Sequence, residues 1–195
     1  MALNVSLVVN CFKNCFASPQ HFAPEVNPIT LDPSHMGNEV VLVKNNLRIC
    51  GTGGALGSAP LVQSKSYFEV KIQQSGVWGL GLATYTTNLN NAPGGIDPES
   101  WILTHDGALK HNNQELRKTD HVPQEGDIVG VSFDHIELNF YLNGKHLECP
   151  ISNIKGSVFP ALYVGEGAIL DLIVDNFTYP PPSGFDRIMI EQSLL

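Results

Sequence analysis

Apolar and polar side chains alternate with a period of two along several short stretches of the chain. The clearest stretch spans residues 136–142, where every second side chain is apolar: Ile136, Leu138, Phe140 and Leu142. Successive side chains of a strand point to opposite faces, so this pattern predicts a half-buried β-strand. Asn143-Gly144 follows, and because both residues tolerate a positive φ, the pair predicts a tight hairpin turn.

The same pattern predicts further short strands along the chain. They are expected at residues 40–44, 47–50, 66–72, 78–82, 129–133, 158–164 and 168–174. Asn45-Asn46 is expected to close a hairpin between the first two strands. The strand at 66–72 is expected to have one apolar and one polar face: Phe68, Val70 and Ile72 against Tyr67, Glu69 and Lys71. Only residues 185–195 are compatible with a short helix.

Many short strands separated by turn residues, with little helix, predict an all-β fold of two antiparallel sheets packed face to face. A glycine-rich run at 51–57 lies among these strands. A phosphate-binding loop needs a helix N-terminus directly after it, but Ser58-Ala59-Pro60 and a strand follow here. We therefore interpret the glycines as the place where the chain crosses from one sheet to the other at close range.

We divide the chain into three parts by composition. Residues 1–29 form an apolar, cysteine-containing leader with a proline-rich lead-in to the domain, because repeated prolines disfavour a helix. Residues 30–185 carry the strand pattern and are the expected domain. Residues 186–195 are expected to be a tail that packs on it.

Cys11 and Cys15 of the leader allow two interpretations. S-acylation of both side chains would give a membrane anchor with two lipid chains. Alternatively, apolar residues at every second position over 5–9 favour an edge strand of the sandwich, with both thiols buried. The residues favour the second interpretation without excluding the first.

Charge and composition argue against nucleic-acid binding, a membrane-spanning segment and a disulfide scaffold. Eleven basic and nineteen acidic residues give a net charge of −8. Nucleic-acid binding needs clustered Lys and Arg, and the longest basic run is Arg117-Lys118, so nucleic acid is not expected. No apolar stretch approaches the roughly 20 residues that span a bilayer. Four cysteines are too few for a disulfide scaffold, so Cys50 and Cys149 are expected to be reduced in a cytoplasmic, monomeric protein.

The sequence offers few candidates for chemistry. His105 and His111 lie six residues apart across an expected turn and would face one another there. Zinc needs three or four ligands, and the spacing places no third one, so we interpret both as solvated turn residues and predict no metal site. No Ser-His-Asp or Cys-His set stands out, and no carboxylate pair has the aromatic cleft typical of glycosidases. We predict no catalytic residue and no cofactor.

Five runs of the sequence resemble the SPRY domain: SYFEVKI at 66–72, WGLGLAT at 78–84, GDIVGVSFD at 126–134, IELNFYLNGKHL at 136–147 and VFPALYV at 158–164. Residues 31–54 resemble the segment that precedes SPRY in the longer B30.2 form. The resemblance covers about residues 30–185. It implies a bent antiparallel β-sandwich of the concanavalin A-like type that recognises short segments of partner proteins and performs no chemistry.

The resemblance also implies where a partner binds. In SPRY proteins that carry a SOCS box, partner peptides rest on loops at one end of the sandwich, and residues 84–101 resemble one of those loops. Gly165 and Glu166 stand where those proteins place an apolar and aromatic pair. We predict a single binding rim built from four loops: Asn45, Asn46, Tyr85, Asn88, Leu89, Asn90, Asn91, His111, Asn112, Asn113, Gly165 and Glu166.

The function expected from this reasoning is a non-catalytic adaptor or scaffold that binds a short segment of a partner protein. Two alternatives stay open. One is a carbohydrate- or small-ligand-binding sandwich, which would show an exposed aromatic shelf. The other is a scaffold recruited to membranes by acylated Cys11 and Cys15.

Overall fold

A computed structural model describes residues 28–190. All regular elements of this part are strands, as the alternating pattern predicts. They are β1 Leu31–Met36, β2 Glu39–Val43, β3 Arg48–Gly57, β4 Ser66–Gln74, β5 Val77–Thr84, β6 Ser100–Thr104, β7 Ala108–His111, β8 Gln114–Lys118, β9 Ile128–Phe133, β10 Glu137–Leu142, β11 Lys145–His146, β12 Ile151–Ser152, β13 Val158–Gly165, β14 Ile169–Ile173 and β15 Asp186–Arg187.

The strands form two sheets that share one strand. The front sheet has the order β1-β3-β13-β5-β6-β7-β8, and all of its pairs are antiparallel. The back sheet has the order β2-β3-β14-β4-β9-β10-β11, also antiparallel. Two short strands join the back sheet at its sides, with β12 antiparallel to β10 and β15 parallel to β4. The predicted all-β, antiparallel sandwich is confirmed.

The shared strand β3 passes from the back sheet to the front sheet at the glycine-rich run. Ile49 pairs with Leu170 of the back sheet, whereas Gly53 pairs with Val164 of the front sheet. Gly51 has a φ of +91°, and a Cβ there would clash with the Glu39 carbonyl oxygen. The glycines therefore permit the close crossing that the sequence predicts.

The crossing brings the two ends of β3 back to the same end of the sandwich. The Leu31 N–H donates to the Asn46 carbonyl at 2.9 Å, just before β3 begins, and Leu31 itself pairs with Gly57, where β3 ends. Lys44, Asn45 and Asn46 close the β2–β3 hairpin with φ values of 56°, 55° and 60°. The predicted Asn-Asn hairpin is confirmed at this end.

The main hydrophobic core lies between the two sheets. Alternate residues of β5 face alternate residues of β4, with Trp78, Leu80 and Leu82 in the same buried cluster as Phe68 and Val70. Trp78 is 2% exposed. Complete burial of such side chains stabilises the fold by roughly 1.5–3 kcal/mol each. The contact between the two sheets is therefore the main source of hydrophobic stabilisation.

The polar face predicted for 66–72 is wrong for its central residues, because a second layer covers the back sheet from outside. Tyr67 and Glu69 are both buried. The Glu69 carboxylate accepts hydrogen bonds from the Thr178 and Tyr179 backbone N–H groups at 2.7 and 2.9 Å, and the Phe177 ring contacts Tyr67 edge-on. Burial and the neighbouring Glu69 carboxylate raise the pKa of Tyr67.

Two local expectations are also wrong. Residues 185–190 are not helical: β15 pairs in parallel with the start of β4, and the Met189 N–H donates to the Gln63 side chain at 2.6 Å. Ile136 precedes β10 and is 70% exposed, because His135 takes a positive φ and the turn rotates Ile136 away from the core. Residues 1–27 and 191–195, with most of the predicted leader and half of the predicted tail, lie outside the described part.

Candidate functional site

The long loop between β5 and β6, residues 85–99, runs across the outer face of the front sheet. The Leu89 carbonyl accepts a hydrogen bond from the Gly54 N–H of β3 at 2.7 Å. Further on, Ala92 packs against Gly165 at the end of β13, and Pro93 lies over Gly79 of β5. The loop therefore crosses three neighbouring strands instead of projecting from the end of the sandwich.

Glycines in the sheet make this close approach possible. A Cβ at Gly79 would clash with the Pro93 carbonyl oxygen, and a Cβ at Gly54 would meet the Tyr163 ring at 2.5 Å. Tyr163 is the centre of a small apolar cluster beneath the loop, separate from the main core: Leu56, Ala83, Ile102, Ala161 and Tyr163, with Leu89 and Phe159 packed against it. The loop is thus a covering layer with its own buried contacts.

Asp97 anchors the loop to itself and to β6. Its carboxylate accepts hydrogen bonds from the Asn88 N–H at 2.8 Å, the Glu99 N–H at 3.0 Å, the Ser100 hydroxyl at 2.8 Å and the Thr87 hydroxyl at 3.0 Å. Burial raises the pKa of Asp97, but these hydrogen bonds outweigh it, so the pKa is lowered. One carboxylate therefore joins both ends of a loop whose path over the sheet is otherwise set by backbone contacts.

An exposed aromatic side chain stands at the start of the loop. Tyr85 is 57% exposed, and its ring lies 4.0 Å from the His35 ring and 6.1 Å from the Phe159 ring, centre to centre. The His35 Nδ1 is 2.7 Å from the Asp32 carboxylate. We call these four residues, Asp32, His35, Tyr85 and Phe159, the Tyr85 shelf.

Sequence reasoning selected Tyr85 but missed Asp32 and His35. These two residues belong to β1, about 50 positions earlier in the chain, and no local pattern connects them to the loop. Burial raises the pKa of Asp32, and the hydrogen bonds from His35 and the Ser34 N–H lower it by more, so the pKa lies below its ordinary value. The carboxylate is therefore charged at neutral pH and holds the His35 ring against Tyr85.

The loop asparagines fall into two groups. Asn88 and Asn90 shape the chain: the Asn90 N–H donates to the Asn88 side-chain oxygen at 2.9 Å, and the Asn38 N–H donates to the Asn90 side-chain oxygen at 2.9 Å. Asn91 is exposed, and its side chain makes no hydrogen bond to residues 28–190. Asn91 and Tyr85 are therefore the predicted loop residues that are exposed and make no side-chain hydrogen bond within residues 28–190.

The β7–β8 hairpin borders the same loop. The Asn112 N–H donates to the Asp97 carbonyl and the Asn113 N–H to the Gly95 carbonyl, both at 2.9 Å. His111 stacks on Trp101 with 4.8 Å between ring centres and 8° between planes, and its Nδ1 lies 3.0 Å from the Ser100 carbonyl oxygen. His111 is thus packed, and its interpretation as a solvated turn residue is wrong.

The two histidines considered as metal ligands do not meet. His111 lies beside Ser100, where β6 begins, whereas His105 follows Thr104, where β6 ends. The imidazoles are therefore at opposite ends of that strand. Among residues 28–190, no group of three or more His, Cys, Asp or Glu side chains is arranged to hold a metal ion.

The four loops of the predicted rim do not all lie at one end of the sandwich. Val158 pairs with Thr84, and Gly165 pairs with Val77, so the Gly165-Glu166 turn lies at the opposite end of the front sheet from the start of the loop. The Gly165-Glu166 turn therefore does not share an end with the start of the loop, because β13 is eight residues long, although Ala92 of the loop packs against Gly165. Asn45-Asn46, by contrast, lies at the same end as Gly57.

The structure describes two of the four cysteines, Cys50 and Cys149. Cys149 is buried, Cys50 is half-buried, and both are free thiols. Burial raises the pKa of Cys149. Cys11 and Cys15 lie outside the described residues, so the two interpretations of the leader remain predictions. Within residues 28–190 the structure contains no helix that could cross a membrane.

Comparisons with known proteins agree with the fold. A family model described as the SPRY domain matches residues 65–177. The chain is 50% identical over 191 residues to SPRY domain-containing protein 7 of Homo sapiens, covering 96% of this chain and 97% of that protein. The crystal structure of the TRIM65 PSpry domain superimposes with a TM-score of 0.60 at 18% identity, over 75% of this chain and 90% of that one. A stonustoxin structure gives a TM-score of 0.62 at 19% identity, over 74% of this chain and 27% of that one.

Proposed function

This chain belongs to the SPRY domain family, and on that premise we propose that it is a non-catalytic module that binds a short segment of a partner protein. SPRY domains generally mediate protein–protein interactions. We further propose that the module acts as an adaptor in the cytoplasm. Four cysteines in 195 residues are too few for the disulfide scaffold of a small secreted domain, which supports this compartment.

We place the contact surface on the Tyr85 shelf and the outward side of loop 85–99. The observation that carries this choice is the 57% exposure of the Tyr85 ring on an anchored loop. Tyrosine is enriched among the residues that dominate binding energy at protein interfaces. Asn91 lies on the same loop and can pair through its amide with the backbone of an extended segment.

The anchoring of the loop supports this placement. Asp97 accepts four hydrogen bonds, and the loop backbone is bound to Gly54 and Asn38. Because the loop is already ordered, its residues lose little conformational entropy when a partner binds. Most of the conformational entropy lost on binding is then lost by the partner segment.

The test is an affinity pull-down that compares the wild-type chain with a Tyr85→Ala, Asn91→Ala variant. Neither side chain makes a hydrogen bond within residues 28–190, so the melting temperature should stay within about 2 °C of wild type. The matched control is Ile136→Ala, which removes another large exposed side chain, one that lies beside the back sheet. We expect a partner that is bound by wild type and by the control and is lost from the shelf variant.

Two results would contradict the proposal. A partner retained by the Tyr85→Ala, Asn91→Ala variant would place the contact elsewhere on the molecule. The absence of any specific protein partner for wild type would argue against an interaction module.

The Tyr85 shelf also supports a second candidate, a carbohydrate-binding sandwich. Sugar rings stack on exposed aromatic rings, and carboxylates accept hydrogen bonds from sugar hydroxyl groups; Tyr85 and Asp32 provide both groups close together. A glycan array distinguishes the candidates. Glycan binding by wild type that is lost in the Tyr85→Ala variant would support the carbohydrate-binding hypothesis. The absence of binding to any glycan on the array would contradict it.

A further inference from the structure

A cleft lies between the open edges of the two sheets, away from the Tyr85 shelf. One wall is formed by residues 117–121, at and after the end of β8, and the other by residues 145–149, from β11 onward. Its volume is about 480 Å³. β1 and β8 are the two ends of the strand order in the front sheet, so this β8 cleft and the shelf are separate surfaces.

The β8 cleft concentrates positive charge in an acidic chain. Arg117, Lys118 and Lys145 line it, together with His121 and His146, against two acidic residues, Asp120 and Glu148. These are three of only eleven basic residues in a chain of net charge −8. With three cations against two carboxylates, the lining carries a formal charge of +1 in a chain whose net charge is −8.

The three cations form no ion pair in the described part of the chain, although Arg117 acts electrostatically on the Cys149 thiol. The ion pairs of residues 28–190 use Lys44, Arg48 and His35, and none of them involves Arg117, Lys118 or Lys145. No hydrogen bond from the side chains of those three residues to this part of the chain is present either. An external anion can therefore pair with these three side chains, and no internal salt bridge has to be broken first.

The walls and floor of the cleft limit the shape of a ligand. Arg117 is paired with the buried Leu109, so its side chain extends from the inner face of the front sheet toward the other wall. Thr119 and Cys149 are buried at the base. Lys118 and Lys145 remain exposed above them, so the cations surround a concave space instead of a flat surface.

We propose that the β8 cleft binds an acidic segment of another protein, with the carboxylates of that segment paired to Arg117, Lys118 and Lys145. A peptide segment with a few Asp or Glu side chains carries about as many negative charges as the three cations can neutralise. A nucleic acid would bring many more negative charges than three cations can neutralise. A bulge in the pairing of β8 with β7 leaves Leu116 unpaired and makes the edge irregular, which favours recognition by side chains over the addition of a strand.

The test is binding of a fluorescein-labelled oligoglutamate peptide to the full chain, measured by anisotropy at low and at physiological salt. The variant is Arg117→Glu, Lys145→Glu. The matched control is Lys155→Glu, Arg187→Glu, which changes the net charge by the same amount at exposed sites outside the cleft. We expect wild type to bind in a salt-sensitive manner, the cleft variant to bind about tenfold more weakly or not at all, and the control to stay within about twofold of wild type.

The alternatives are separated by the same assay. Equal losses in the cleft variant and the control would show a general charge effect and overturn the proposal. Failure of wild type to bind oligoglutamate would also overturn it, as would preferential binding of a single-stranded oligonucleotide or of inorganic phosphate over the peptide. Because Tyr85 and Asn91 are unchanged in these variants, the result is independent of the shelf.

Discussion

Asp171 is a carboxylate in the middle of β14 that is only 3% exposed. It accepts hydrogen bonds from the Lys44 ammonium at 2.9 Å, the Arg48 guanidinium at 2.5 and 2.9 Å, and the Gln73 amide at 3.0 Å. Burial raises the pKa of Asp171, but the hydrogen bonds from Arg48 and Lys44 lower it by more. One buried charge thus connects β14 with β3, β4 and the β2–β3 hairpin.

Replacing Asp171 by Asn should lower the free energy of unfolding by about 1–3 kcal/mol, because the charge-assisted hydrogen bonds that the carboxylate accepts from Arg48 and Lys44 are weakened. Urea unfolding at pH 7 measures the change. Asp175→Asn is the matched control, since Asp175 is exposed and makes no side-chain hydrogen bond within residues 28–190; it should change stability by less than about 0.5 kcal/mol. A similar loss in both variants would contradict the role of the network.

Glu69 is a buried charge that the sequence pattern misassigns. Glu69 occupies a position that alternation places on a polar, solvent-facing side, and yet it is completely buried. Its burial depends on Thr178 and Tyr179, more than 100 residues later in the chain. Local periodicity contains no information about such a partner, so the second layer over the back sheet could not be derived from it.

The loop between β5 and β6 is the element on which the proposed function rests, and its rigidity is testable. Asp97→Ala removes the acceptor for the Asn88 and Glu99 N–H groups and should cost about 1–3 kcal/mol. Hydrogen exchange followed by mass spectrometry should show faster exchange over residues 86–99, with the exchange of β4 and β9 unchanged.

Asp106→Ala is the matched control for the loop variant. Asp106 has the same role in the short β6–β7 turn, where it accepts from the Thr104 hydroxyl and the Ala108 N–H. Faster exchange in this variant should be confined to residues near that turn. If Asp97→Ala left the exchange of 86–99 as slow as in wild type, the loop would be held by its backbone contacts alone.

At the scale of elements, the sequence predicts the strands well and the course of the loop poorly. Alternation located β4, β5, β9, β10, β13 and β14, and Gly79 leaves a space on the outer face of β5 because it has no side chain. What fills that space is Pro93, which reaches it only because the loop folds back over the front sheet. The glycines that allow this path belong to three different strands, so their common purpose is visible only after the strands have paired.

At the scale of the whole molecule, the two-sheet architecture follows from strand pattern and turn chemistry, whereas the arrangement of the loops does not. The predicted rim combined loops from both ends of the front sheet, because the spacing of strands along the chain does not show which ends coincide. The β8 cleft was not predicted either. Its walls come from residues 117–121 and 145–149, which belong to different sheets.

Four aspartates make the whole fold sensitive to acid. Burial raises the pKa values of Asp32, Asp97 and Asp171, but hydrogen bonds lower them by more, and the Thr104 hydroxyl lowers the pKa of Asp106. Since each folded-state pKa lies below its unfolded value, the unfolded chain takes up more protons on acidification. This contribution to stability is complete above about pH 5 and is lost as the pH falls through the unfolded-state and then the folded-state pKa values.

The urea midpoint should therefore decrease as the pH is lowered from about 5 to about 3, measured at constant ionic strength. Fluorescence is a suitable signal, because Trp78 and Trp101 are both buried. Asp171→Asn should show a smaller decrease than wild type, since one of the four groups no longer titrates. A midpoint that does not change over this interval would contradict the pKa assignments.

The strand shared by both sheets has a consequence for biosynthesis. β3 pairs with β13 and β14, which lie roughly 100 residues further along the chain. At a translation rate of about 5–20 residues per second, β3 leaves the ribosome about 5–20 s before β13 and β14 are synthesised. During that interval the apolar residues and unpaired backbone edges of β3 are open to other chains. We expect the nascent chain to need chaperone protection until β14 has emerged.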